Sequence, residues 1–247
     1  MKPVLETFSN AGIFEVIIYG LIINFGIYVC SLGLYSVLSH IPGKQRLGEE
    51  HPVFRSDVVL SLITVLCNTI VFLFGVYLWK YGFIVLNENE NVFWILLEVL
   101  FLVLVMDLLM YVFHRSVHFI TYFRKIHQRH HEHESTNLLS LFVLHPVESI
   151  GFGLMMLGVL LFFPLSATGI SIYLVINSLW GTVGHLNHTV LPKSWLKFVK
   201  KGYICTSEFH YLHHQHPGCN FGFYTSIWDI IFKTKYTSFE GSEKMVQ

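Results

Sequence analysis

Two stretches of this chain carry no charge for 22 residues each, Ile17–Leu38 and Val58–Trp79. A helix needs about 20 apolar residues to cross a bilayer. A spanning segment must satisfy its own backbone hydrogen bonds, so helices are the only open-ended solution. Val92–Tyr111 is a third apolar run, though it carries Glu98 and Asp107. Ser149–Phe163 and Ala167–Gly184 are two more, separated by Pro164, and read as a helical hairpin turning near the far interface. The first run is too long for a signal-peptide core and lacks a small-residue cleavage site. The expected fold is therefore all-α: a polytopic membrane bundle of four to five helices, with a cytosolic helical cap.

Basic residues set the expected orientation. With five crossings, 14 of the 16 Lys and Arg residues fall on one side, and only Lys2 and Lys80 on the other. The crowded side includes Lys193, Lys197, Lys200 and Lys201 and reads as cytoplasmic, with the amino terminus opposite. Formal net charge is zero, so the overall balance gives no reason to expect nucleic-acid binding. The four cysteines form no C-x-x-C pair and suggest neither a disulfide framework nor a structural zinc site. Cys219, close to a histidine cluster, reads as a small buried residue.

Fifteen histidines are distributed unevenly. His114 and His118 form H-x3-H; His127, His130 and His131 form H-x2-HH; His210, His213 and His214 repeat it. On a helix, positions i, i+3 and i+4 share a face, so each cluster can aim its imidazoles at one point. Eight such nitrogens suit two metal ions. His185 and His188 end the last apolar run, and one of them is expected to supply a further ligand. Asp107, His114 and His118 lie within about 40° of one another on a helix. An ionisable residue in a span is a functional candidate, so Asp107 is expected to accept a hydrogen bond from a ligating imidazole. The equal alternative is an interior carboxylate paired with Arg or Tyr. Glu98 lies on the opposite face and has no assigned role. His133 reads as a surface residue, and His40 and His51 as loop residues. His145 before Pro146 reads as a helix cap or an outer group, and His216 as a turn residue. An all-nitrogen site accepts zinc, iron, copper or nickel; the lipid setting favours oxygen chemistry on an unreactive C–H bond. A metal transporter and a zinc-dependent lipid hydrolase are the rival readings.

These residues, in this order, resemble the fatty acid hydroxylase/sterol desaturase superfamily. The matching stretches begin with Asp107-LLMYVF-His114-RSV-His118, Lys125-Ile-His127-QR-His130-His131-Glu132 and His145-Pro146-Val-Glu148. They continue with His185-Leu-Asn187, Glu208-Phe-His210-YL-His213-His214 and Asn220-Phe-Gly222-FYTSI-Trp228-Asp229. The eight residues between His118 and His127 are fewer than membrane acyl-CoA desaturases usually have. The chain departs from the family in its H-x3-H first box and in Lys233, where a Gly is common. With no linker or low-complexity tract, the chain reads as one domain over 1–247: two spans in 1–91, a histidine-box catalytic region in 92–235, which is the stretch the resemblance covers, and a tail in 236–247. The resemblance implies a di-iron centre using O2 to hydroxylate or desaturate a sterol, fatty acyl or related lipid. The histidine clusters would be the ligands, with Asp107, Asn187, Glu208, Asn220 and Asp229 supporting them. Electrons would come from a separate cytochrome b5-type or other redox protein. The membrane would be the endoplasmic reticulum in a eukaryote or the inner membrane in a bacterium.

Overall fold

The computed structural model describes residues 2–41, 44–190, 203–239 and 242–245. Lys193, Lys197, Lys200 and Lys201 lie outside the described residues. After a short α1 (Lys2–Asn10) come five long legs: α2 (Ile13–Ser39), α3 (Arg55–Lys80), α4 (Val92–Phe119), α6 (Pro146–Phe162) and α7 (Ala167–Gly184). Between α4 and α6 lies α5 (Thr121–His131), and α8 (Ser207–Gln215) and α9 (Ile227–Ile231) follow α7. Helices α2, α3 and α4 are long and apolar enough to cross a membrane. The 27 residues of α2 extend about 40 Å at 1.5 Å per residue, against a hydrocarbon core of about 30 Å.

Each of these helices leaves an apolar stripe uncovered. On α2 it is Ile22, Phe25 and Val29; on α3 Leu62, Leu66 and Ile70; on α4 Leu96, Leu100 and Leu104. A soluble monomer rarely exposes so much contiguous apolar surface, and here it is the lipid-facing surface of a membrane bundle. The inner faces meet around Leu102, Met106, Leu157, Leu160 and Tyr173. Helices α3 and α6 pack against each other through glycine. A Cβ on Gly153 would stand 2.6 Å from Val71, and one on Gly75 2.9 Å from Leu157. Small residues let membrane helices approach closely.

The legs alternate in direction, which sorts the loops to two ends. At one end Lys80 Nζ at the close of α3 donates to Ala11 O before α2, at 2.5 Å. The α6–α7 turn reaches that same end, because β2 (Leu165–Ser166) pairs in parallel with β1 (Leu86–Asn87) after α3. Pro164 ends α6 as expected, with Phe163 in extended backbone. The hairpin therefore runs the length of the bundle. Glu98 finds its role here: Oε1 accepts from Asn87 Nδ2 at 2.8 Å and Oε2 from Ser166 N at 3.0 Å and from Ser166 Oγ. It fastens both short strands at the end away from the histidines. At the opposite end, α4 runs unbroken past its apolar run to Phe119, carrying His114 and His118 with it. Among the described residues the chain also forms a hairpin of β3 (Tyr236–Phe239) and β4 (Ser242–Met245), which the helical reading of the sequence did not anticipate.

Candidate metal centre

Helix geometry divides the histidines into two groups. His114, His118, His127, His131 and His213 form one, and His130, His185, His210 and His214 the other, with the candidate ligand atoms of each group within 4.8 Å of one another. The expectation that each cluster aims at one point is corrected. Positions i and i+4 differ by about 40° around a helix, whereas i+3 turns about 60° the other way. His127 and His131 therefore face the first group from α5, and His130 leans into the second. On α8 the split is reversed: His210 and His214 face the second group and His213 the first. Each H-x2-HH box thus serves both groups.

Proton positions decide what these groups can hold. A backbone carbonyl only accepts, so an imidazole bonded to one carries its proton on that nitrogen. His114 Nδ1 donates to Phe221 O at 3.0 Å, His213 Nδ1 to Cys219 O at 2.6 Å and His185 Nδ1 to Gly181 O at 2.8 Å. His127 Nδ1 donates to Glu148 Oε1 at 2.5 Å. Their Nε2 atoms then bear lone pairs. Yet His131 Nε2 faces Nε2 of His118, His127 and His213 at 3.1–3.2 Å. One proton on His131 would serve at most one of these three contacts. In the second group His185 Nε2 lies 3.4 Å from His130 Nε2 and 3.1 Å from His210 Nε2, which is 3.1 Å from His214 Nε2. Convergent lone pairs at this spacing repel unless a cation sits among them. The donor sets therefore fit two metal ions, five imidazoles around one and four around the other.

Burial keeps the rings neutral. It pushes His131 down to about 3 and His185 to about 4, and His127, His130, His210, His213 and His214 well below 6.5; neighbouring imidazoles add to the effect in most of them. At pH 7 they need shed no proton to bind metal. The sign of the pH dependence follows. The folded state resists protonation and the unfolded state does not. The contribution to stability is complete above 6.5 and is lost as pH falls towards 4 and then 3. Metal-free protein in detergent should lose Tm steeply as the pH falls below 6.5. A Tm that rises on acidification would contradict this placement of the rings.

The supporting carboxylate is not where the sequence suggested. Asp107 touches no ligand imidazole: Oδ1 accepts from Tyr224 N at 2.9 Å and Thr225 N at 3.1 Å, and Oδ2 from Thr225 Oγ1 at 2.5 Å and Trp228 Nε1 at 3.1 Å. It clamps the segment before α9. Glu148, in the first turn of α6 and buried, is the carboxylate that bonds a ligand ring. The only hint in the sequence was its place in His145-Pro146-Val-Glu148. Asp229 acts at one remove: Oδ1 accepts from Phe221 N and Oδ2 from Gly222 N, both at 2.8 Å, fixing the carbonyl that holds His114. Asn220 adopts left-handed backbone at φ 59° and pairs with Tyr236, its Oδ1 accepting from Tyr236 N at 2.8 Å. Asn187 holds the α2–α3 loop through Gly48, at 3.1 and 2.9 Å. Glu208 stands in the first turn of α8, two residues before His210.

Four further histidines are now placed. His188 lies outside both groups, because α7 ends at Gly184 and three residues of non-helical chain no longer share a face with His185. His133, expected at the surface, is fully buried, with Nδ1 2.7 Å from Ser140 Oγ and its ring stacked on His51. His145 is the N-cap of α6, accepting from Val147 N at 3.2 Å. His216 caps the end of α8. Cys219 is buried, and burial pushes its thiol up to about 12.

The family model described as fatty acid hydroxylase matches residues 99–234, which spans both histidine groups. Fatty acid hydroxylase domain-containing protein 2 of Homo sapiens is 31% identical over 110 residues, 42% of this chain and 33% of that protein. Protein CER1-like 2 of Arabidopsis thaliana is 27% identical over 135 residues, 52% of this chain and 22% of that protein. Very-long-chain aldehyde decarbonylase GL1-4 of Oryza sativa is 28% identical over 135 residues, again 52% and 22%. The matched stretch is thus a third or less of each of these relatives. No solved structure matches the chain. A family model matching more than half of the chain, across both histidine groups, establishes that this protein belongs to the fatty acid hydroxylase family.

Proposed function

We propose that this chain is a membrane di-iron oxidoreductase that hydroxylates or desaturates a long-chain lipid or sterol. The observation that carries the reading is the pair of facing imidazole groups at one end of a lipid-exposed bundle. Two iron ions bound there would supply the oxidising power, drawing on O2 and two electrons. The protein's own work is to hold and orient. Phe221 O, Cys219 O, Gly181 O and Glu148 fix four rings through Nδ1 and turn their Nε2 atoms inward. Family membership and the names of the relatives, which speak of fatty acids and very-long-chain aldehydes, support a long-chain substrate.

Such a substrate would enter from the bilayer. Tyr35, Leu141, Phe142, Thr182 and His185 close around a gap beside the second imidazole group that is too small for a water molecule, so a lipid tail would have to displace these side chains. Gly181 packs directly on Leu141, where a Cβ would stand 2.9 Å from the Leu141 side chain. The electrons would come from a separate cytochrome b5-type or other redox protein. Arg124 and Lys125 stand exposed on α5 for such a partner to meet.

Lipid profiling by mass spectrometry tests the reading. Membranes making the chain should gain an oxidised or desaturated lipid that is absent when His130 and His131 are both replaced by alanine. Full product from that double variant would sink the assignment. The histidine end is proposed to face the cytoplasm, on the 14-to-2 distribution of basic residues. A tag after Gln247 should be cut by protease added to the cytoplasmic side of sealed membranes. Survival there, with cleavage only after detergent, would reverse the orientation.

A further inference from the structure

A third cluster lies outside the two groups already described. His133 and Asp57 are fully buried and His51 is half-buried, and one ligand atom from each lies within 4.8 Å of the others. They come from three places: Asp57 from the first turn of α3, His133 from just after α5, and His51 from the loop between α2 and α3. His133 Nε2 is 3.6 Å from Asp57 Oδ1. The His51 and His133 rings stack at 4.2 Å.

Two ring nitrogens of this cluster, His51 Nε2 and His133 Nε2, are buried without a hydrogen-bond partner. Ser140 Oγ accepts from Asn137 N at 2.7 Å and donates to Asn137 Oδ1 at 3.2 Å. With the Ser140 hydroxyl proton on Asn137 Oδ1, the bond to His133 Nδ1 at 2.7 Å takes its proton from the imidazole and His133 Nε2 carries a lone pair. That Nε2 is buried without a hydrogen-bond partner and lies 3.6 Å from Asp57 Oδ1. His51 Nε2 is likewise buried and unpartnered. A buried polar atom without a partner is costly, and a cation bound between these two nitrogens and the carboxylate would satisfy all three. Arg129 supplies part of the charge from outside, donating to Asp57 Oδ1 and also pairing with Glu132. A carboxylate oxygen has two lone pairs, so Asp57 Oδ1 can serve both Arg129 and a metal. Asp57 Oδ2 is held by Phe54 N at 2.9 Å.

We propose that His51, Asp57 and His133 form a third metal site, distinct from the two imidazole groups, that takes a zinc-type divalent ion. Two imidazoles and one carboxylate are a known donor set for zinc, with water in the fourth position. The site's purpose is structural. It fastens the α2–α3 loop to the end of α5, and the same loop grips Asn187, two residues beyond His185, through Leu47 and Gly48. The metal therefore braces the cap from which the second group is built.

Metal analysis of the purified full-length protein, grown with zinc and iron, tests this. Three metal ions per chain are expected, one from each cluster. His51→Ala, at a half-buried position, should lower the count by one and leave the two ions of the imidazole groups in place. His133→Ala should do the same. A wild-type count of two, or a third ion that survives both substitutions, would overturn the proposal. The result separates cleanly from the proposed function. Absence of iron with zinc retained and lost on His51→Ala would sink the di-iron reading and leave the third site standing.

Discussion

Replacing His131 with alanine is expected to remove one metal ion and to cut turnover by more than about 100-fold, beyond the 10–100-fold typical of losing a supporting partner. The reason is its position. His131 Nε2 is the atom against which His118, His127 and His213 all converge, at 3.1–3.2 Å, so it contributes from the middle of the five-imidazole group. The second group shares none of its ligand rings with the first. Metal analysis of the variant should therefore show one ion lost rather than both. Retention of both ions would mean that the five rings do not enclose a metal together.

Glu148 is expected to give the next largest effect. Its Oε1 fixes the tautomer and orientation of His127 at 2.5 Å, and both groups are almost fully buried. Glu148→Gln keeps an acceptor but replaces the carboxyl group, and metal affinity should fall about 10–100-fold. Glu148→Ala leaves the His127 N–H buried and unpaired, adding about 1–3 kcal/mol of destabilisation. Asp107→Asn is the informative contrast. It should loosen the segment from Tyr224 to Trp228 and lower thermal stability, yet leave metal affinity largely unchanged, because Asp107 touches no ligand ring. Competition with a chelator across the three variants measures this directly. Equal losses of affinity in Glu148→Gln and Asp107→Asn would remove the distinction.

Much of this architecture was legible because it rests on short-range periodicity. Charge-free runs of 22 residues have few alternatives to helices in lipid, and H-x2-HH on a helix presents imidazoles whatever surrounds it. What escaped depends on contacts distant in sequence. The split of His130 from His127 and His131 follows from helix geometry, but only once α7 and α8 supply His185 and His210 on the other side. Asp107 looked like a ligand's partner because it shares a helical face with His114. The chain instead folds the loop before α9 onto that carboxylate, and Glu148 arrives from α6, 21 residues beyond His127. His133 looked exposed because its neighbours Glu132 and Glu134 are charged and solvent-exposed; a turn after α5 reverses its direction towards Asp57 and His51. His188 failed as a ligand because the helix stops at Gly184, a boundary that apolar content alone does not locate.

The two imidazole groups are proposed to hold a pair of irons. The most direct measurement is the iron-to-chain ratio of active, full-length protein purified in mild detergent, read by elemental analysis alongside lipid turnover. About two irons per chain are expected, one for each imidazole group, with turnover rising in proportion as iron is restored to depleted protein. Full turnover at a ratio near zero, or with zinc alone and no O2 consumed, would contradict the proposal.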